Sequence, residues 1–160
     1  QNAPALSELR GVEAMLRLRI PMGFRLRGTL AYTWGESPRV GSLGYGTSGV
    51  ILGERVPLSR VPPLHGTAEV VWQRASFELS AGLRWATMQD RLAISDYADA
   101  RIPKYGTPGF AVVDLRSSFR IHDRVQLGGV LENIGNVAYR YHGSSVDGPG
   151  RGFMLSMKVD

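Results

Sequence analysis

The feature that most constrains this chain is a two-residue rhythm of apolar and polar side chains, repeated in seven separate segments. In residues 12–20, Val12, Ala14, Leu16, Leu18 and Ile20 share one parity, and Glu13, Met15, Arg17 and Arg19 the other. Residues 24–34 repeat the scheme, with Phe24, Leu26, Leu30, Tyr32 and Trp34 opposite Arg25, Arg27, Thr29 and Thr33. Comparable runs occur at 67–73, 77–86, 111–121, 125–133 and 153–159. Successive side chains of a strand point to opposite faces, so this alternation predicts β-strands with one apolar face. No stretch holds apolar residues at helical spacing, and no apolar run approaches the ~18–20 residues of a membrane helix.

The connections alternate in length. Three are short, around Met22, Ala75 and Asp123, and predict tight hairpins. Three are long, at 35–66, 87–109 and 134–150. Loops beyond ~12–15 residues are uncommon in compact domains, and here all three fall on one end of an up-and-down meander. A transmembrane β-barrel with short periplasmic turns and long outer loops accounts for that asymmetry. A strand of about ten residues rises ~33 Å, and tilted by ~40° it covers ~25 Å, the height of a barrel's apolar band. Aromatic residues mark the strand ends, with Trp34 and Trp85 beside long loops and Phe24, Trp72 and Phe77 beside short turns. Two girdles at the membrane interfaces have this arrangement. The expected fold is therefore all-β, an antiparallel up-and-down meander of about seven or eight strands, part of a transmembrane β-barrel.

Composition excludes several functions. The chain has no cysteine, so disulfides, thiolate metal sites and cysteine nucleophiles are absent. The net charge is +5. The bases are nevertheless spread singly, and even Arg17/Arg19 and Arg25/Arg27 describe a strand face rather than a cluster, so nucleic acid is not an expected partner. His65, His122 and His142 fall on both ends of the meander, which argues against a shared metal site. Ser144 and Ser145 beside His142 lack the strand-turn-helix setting of a nucleophile elbow. Asp90, Asp96 and Asp99 do not match a calcium loop and read as a solvated loop. The run GSLGYGTSG at 41–49 lacks the Gly-Lys-Ser/Thr of a phosphate loop and reads as a flexible outer loop. No catalytic set and no cofactor site emerge.

Five stretches carry a resemblance to a known family: Gly11-Val12-Glu13 opening a strand, LRGTLAYTWGE at 26–36, PLSRVPPLHG at 57–66, RIPKYGTPGFAVVDLR at 101–116 and ENIGNVAYRYHGSSVDGPGR at 132–151. The chain resembles the C-terminal part of a TonB-dependent outer-membrane receptor, from about residue 9 to the end. Members of that family close on an aromatic residue, whereas this chain ends Lys158-Val159-Asp160. They form barrels of about 22 strands around a plug, so residues 1–160 are expected to be a single β-barrel segment without the plug domain.

The resemblance implies uptake of a scarce nutrient of the siderophore-iron, cobalamin or glycan class, and not an enzyme. It implies a bacterial outer-membrane location. The implied partners are outer-membrane lipid, the remainder of the barrel and plug, TonB through the missing part, and a small-molecule ligand. Tyr97, Arg101, Tyr105, Tyr141 and His142 are loop residues of a kind suited to ligand contact. For Tyr139 and Tyr141, just beyond a strand end, anchoring and loop packing is the stronger reading. Two alternatives keep the strands but change the assembly: a complete small eight-stranded barrel with a structural or adhesive role, and a soluble β-sandwich binding module.

Overall fold

The computed structural model describes residues 6–44 and 47–159. Eight strands form one antiparallel sheet: β1 (Glu8–Ile20), β2 (Phe24–Gly44), β3 (Thr47–Pro57), β4 (His65–Arg74), β5 (Phe77–Ala86), β6 (Phe110–His122), β7 (Val125–Glu132) and β8 (Gly152–Val159). Their order across the sheet is β1-β2-β4-β5-β6-β7-β8, with β3 paired to β2 off this path. Each alternating run expected from the sequence lies within one of these strands, except that the run at 125–133 overshoots β7 by Asn133.

The eighth strand comes from the stretch expected to be the first long loop. The lower part of β2, Phe24–Ala31, pairs with β4, while Glu36–Gly44 pairs with β3. The β2–β3 hairpin thus runs on past the long-loop end of the sheet. A hairpin beyond the apolar layer has no buried face to mark by alternation, so GESPRVGSLG carries no strand signal in its sequence. The glycine-rich run read as a flexible loop is instead partly paired, with Gly41 opposite Gly49 and Ser42 opposite Ser48. Tyr45 and Gly46 lie outside the described residues.

Backbone geometry closes the short turns. At the β1–β2 turn, Gly23 has φ +86°, and a Cβ there would lie 2.0 Å from the Gln73 carbonyl oxygen. Only glycine fits both the left-handed conformation and the close approach. Across the next strands the apolar parity stays in register: Phe24 faces Trp72, Trp72 faces Leu79, and Phe77 faces Phe119. Phe24, Trp72 and Phe77 stack across three strands, with ring centroids 6.4 and 5.9 Å apart. This is the aromatic band expected at the short-turn end.

The apolar face has no second layer behind it. Phe153 and Leu155 are 76% and 79% exposed, and Val12, Leu16, Ile121 and Met157 are exposed as well. A β-sandwich buries that face against another sheet, so the soluble-sandwich alternative does not hold. Nor is the sheet closed among the described residues, because β1 and β8 form its two edges and do not pair with each other. The small complete barrel is therefore not what the eight strands build.

The buried core is small and sits on the polar face at the long-loop end, where Phe110, Val112 and Tyr139 pack with Ala86 and Val137. A charge on the bare apolar face is the direct test of its lipid exposure. Val70→Arg in β4 should lower stability in phospholipid vesicles by ~2–4 kcal/mol. Glu69→Gln, on the opposite face, removes a half-exposed ion pair and should cost no more than ~1 kcal/mol. Urea midpoints of the vesicle-inserted protein check both.

Candidate functional site

Three connections meet over the polar face at the long-loop end: 58–64, 87–109 and 133–151. The last is organised by one buried amide. Asn133, 1% exposed, stands just past β7 with φ 46°, a left-handed conformation that asparagine tolerates better than most residues. Its side-chain nitrogen donates to the carbonyls of Val137 and Pro149 at 2.9 and 3.0 Å. Its side-chain oxygen accepts from the Val137 amide at 2.8 Å. Its own amide donates to Asp114 at 2.9 Å. One side chain therefore ties the start of the loop to its end. Gly148 is needed beneath it, since a Cβ there would lie 2.1 Å from the Tyr139 ring.

Asp114 links this loop to the sheet. It is buried in β6, with Arg84 3.2 Å and Arg116 3.6 Å away. The Arg84 guanidinium also donates to the Tyr139 hydroxyl at 3.4 Å and lies 5.8 Å from that ring's centre. Tyr139 therefore packs inside the polar face. It is part of a three-ring cluster in which its centroid is 4.8 Å from that of Phe110 and 5.9 Å from that of Tyr141.

The 87–109 loop is tied to 58–64. Asp96, read from the sequence as solvated, is buried: it accepts from the Ala93 amide at 2.9 Å and from the Ser59 hydroxyl. The Gln89 side chain donates to the Val61 carbonyl at 2.6 Å, and the Thr87 amide to the Leu64 carbonyl at 2.9 Å. Asp99 receives Arg101 at 2.6 Å and Arg60 at 3.2 Å. The hydrogen bonds from Arg101 hold its carboxyl well below the usual carboxylate range. The third seam joins Thr107 to His142, hydroxyl to Nδ1, at 2.9 Å.

Between the seams lies a cavity of about 170 Å³, lined among others by Pro63, His65, Phe110, Tyr141 and His142. That volume holds one ring or a comparable group, less than a whole drug-sized ligand. His65 donates from Nδ1 to the Pro63 carbonyl at 2.8 Å, which fixes the orientation of its ring at the cavity wall. Burial pushes the His142 imidazole below its ordinary value, against the opposing pull of Asp96 and Asp99, and so favours its neutral form. The site offers two imidazoles, aromatic ring edges and a phenol, a set suited to binding a planar, partly apolar group.

Of the five residues expected at the site, Tyr141 and His142 line this cavity. Tyr97 and Tyr105, 64% and 79% exposed, and Arg101, clamped on Asp99, are not among its lining residues. His65, Thr107 and Phe110 were not chosen from the sequence. The histidines divide unevenly, with His122 ending β6 at the far end while His65 and His142 share the cavity. No local signal in the sequence places His65 beside His142, because only the register from β4 through β7 brings them together.

Two outcomes follow from this geometry. Asn133→Ala leaves the half-buried Val137 amide without its acceptor, and should cost roughly 1–3 kcal/mol of local loop stability, read as faster hydrogen exchange at 137–150. The folded His142 holds its proton less tightly than a free imidazole of ~6.5. The stability it contributes is therefore present above that value and lost as pH falls below it. Protection factors at 105–109 and 140–144, which correct for the intrinsic fall of amide exchange with pH, should drop as the pH is lowered from about 7 to about 5, and His142→Gln should abolish that dependence.

The sequence profile of the family described as "TonB dependent receptor-like, beta-barrel" matches residues 1–134. No curated protein matches the chain. Among solved structures, the copper transporter OprC superposes with a TM-score of 0.74 at 18% identity, over 96% of this chain and 24% of that one. The siderophore receptor PiuA from Acinetobacter baumannii gives 0.71 at 15% identity, over 96% and 22%. The ferric-catecholate import receptor Fiu from E. coli K12 gives 0.56 at 15% identity, over 96% and 27%. At these identities the likeness is one of fold, and the chain spans about a quarter of each of these structures. Barrels of this family are outer-membrane proteins of transporters rather than enzymes. A single meander with a bare apolar face and a profile match over most of its length place the chain in the TonB-dependent receptor family, as a section of the β-barrel.

Proposed function

We propose that the chain supplies part of the wall and three of the outer connections of a bacterial outer-membrane receptor for a scarce nutrient. The nutrient belongs to the siderophore-iron, cobalamin or glycan class, and its uptake is driven through TonB. The remaining barrel and the plug come from the rest of the receptor, with outer-membrane lipid against the apolar face. The observation that carries this reading is the cavity on the polar face at the long-loop end, where His65, Phe110, Tyr141 and His142 converge from three separate connections and strands. Exposed Tyr97 and Tyr105, with Arg101 between them in sequence, are the rim contacts in this proposal.

The similar structures are those of a copper transporter, a siderophore receptor and a ferric-catecholate import receptor. Of the three classes, siderophore-iron suits the cavity best, because a planar chelating ring fits its volume and its aromatic edges. A ligand of that kind enters with one ring, and the rest of the chelate stays over Tyr97 and Tyr105.

The test uses the complete receptor in a strain lacking other iron receptors. Growth on a ferric catecholate should require TonB. Tyr141→Ala with His142→Ala should weaken binding by about tenfold or more, equivalent to ~1.4 kcal/mol. TonB-independent growth, or unchanged affinity of the double variant, would refute the reading.

A further inference from the structure

The cavity at the long-loop end brings together two imidazoles that the sequence keeps apart. His65 opens β4 and His142 lies in the connection after β7, yet both line the same space of about 170 Å³. Each ring is held through its Nδ1. His65 donates from Nδ1 to the Pro63 carbonyl at 2.8 Å, and the His142 Nδ1 shares a hydrogen bond of 2.9 Å with the Thr107 hydroxyl. Metal-binding imidazoles are commonly held in this way, with one ring nitrogen tied to a backbone carbonyl or another polar group and the other given to the metal. Two such nitrogens, each bonded to one metal at ~2.1 Å, stand within ~4 Å of each other. A cavity of this volume lined by both rings has room for that arrangement.

The surroundings suit a cation bound by neutral ligands. Imidazole binds a metal only when it is neutral, and burial favours that form of His142. Asp96 and Asp99 act on the same ring through space, in the sense that attracts positive charge. Arg140 also lines the cavity, but its guanidinium is held by Asp147 at 2.7 Å. The donor set is incomplete all the same. Among the described residues, no group of three or more His, Cys, Asp or Glu side chains could hold a metal ion. Asp96 is occupied by Ser59 and the Ala93 amide, and Asp99 by Arg101 and Arg60. Two imidazoles therefore leave the rest of the coordination shell to be filled from elsewhere.

We infer that the cavity recognises its cargo by direct coordination, with His65 and His142 binding the metal of a chelate whose coordination shell is only partly filled. The inference rests on the reading that the chain belongs to a nutrient receptor, and it narrows the class of ligand. A chelate with a filled shell, such as a ferric tris-catecholate, offers the imidazoles no vacant position. A ferric bis-catecholate, or another metal chelate of the same kind, does. Water leaves the metal, the imidazole lone pairs take its place, and the oxidation state is unchanged. Imidazole suits iron, copper, nickel and zinc alike. Selection among them then falls to the chelator, whose ring packs against Phe110 and Tyr141.

Two copper(II) complexes test this in the complete receptor. Nitrilotriacetate leaves positions open on the metal, whereas ethylenediaminetetraacetate encloses it. The nitrilotriacetate complex should bind about tenfold or more tightly than the other. Its electron paramagnetic resonance spectrum should gain couplings from two imidazole nitrogens, identified by isotopic labelling of histidine. His65→Gln and His142→Gln should each weaken that binding about tenfold or more and leave coupling to a single imidazole. His122→Gln, at the opposite end of the sheet, should change neither. Heat-modifiable gel mobility confirms that each variant barrel has formed. Equal binding of the two complexes, a spectrum without histidine couplings, or unchanged affinity in the folded His65→Gln and His142→Gln variants overturns the inference. TonB-dependent growth of the unmodified strain on a ferric catecholate separates that outcome from failure of the receptor reading, which requires such growth whatever binds the copper probe.

Discussion

Everything in this structure depends on an unbroken antiparallel ladder that satisfies the backbone while dividing the side chains into two parities. Across the sheet the register keeps each parity on its own face, so that Leu26 faces Val70, Val70 faces Ala81, Ala81 faces Leu115, Leu115 faces Leu131 and Leu131 faces Phe153. A slip of one residue in any strand would send arginines to the apolar face and leucines to the polar one. In a lipid environment that exchange costs more than in water, because nothing there solvates an exposed polar group. The ladder therefore confers specificity as well as stability, and the tight turns at Gly23, Ala75 and Asp123 are where it is set.

The two ends of the sheet solve different problems. At the short-turn end the chain must reverse within a few residues, and glycine and left-handed conformations do so. At the long-loop end the connections must be held in place without a hydrophobic core of ordinary size. Buried polar groups take over that role. Asn133, Asp114 and Asp96 each bind backbone or side chains from more than one segment, and the hydrogen bonds satisfy them almost fully. Such networks are costly when incomplete and specific when complete. They give the outer connections one arrangement, and with it a defined cavity.

The strands were legible because period two is a direct record of the pleat. Phe77, Leu79, Ala81, Leu83 and Trp85 alternate with Glu78, Ser80, Gly82 and Arg84, and β5 begins and ends where that pattern does. The upper half of β2 and all of β3 were not legible, since a hairpin that leaves the apolar layer has no reason to alternate. Of the loop residues, Tyr141 and His142 line the cavity, whereas Tyr97 and Tyr105 are exposed and do not line it, and a loop's sequence shows composition without direction. Asp96 misled for the same reason: an aspartate among polar neighbours looks solvated until Ser59, from a distant connection, is seen to close over it.

The sequence by itself determined the seven alternating strands, their two faces and the long and short ends, because each of these follows from local alternation and turn chemistry, while separate motifs carried the resemblance to the family. Only the tertiary structure decided which distant residues share a site. His65 meets His142, Ser59 meets Asp96, and Arg17 meets Arg27 because strand pairing places them there. It also decided that β1 and β8 remain edges rather than closing on one another. Pairing is a relation between segments, set by register across the sheet, and no single segment records its partner.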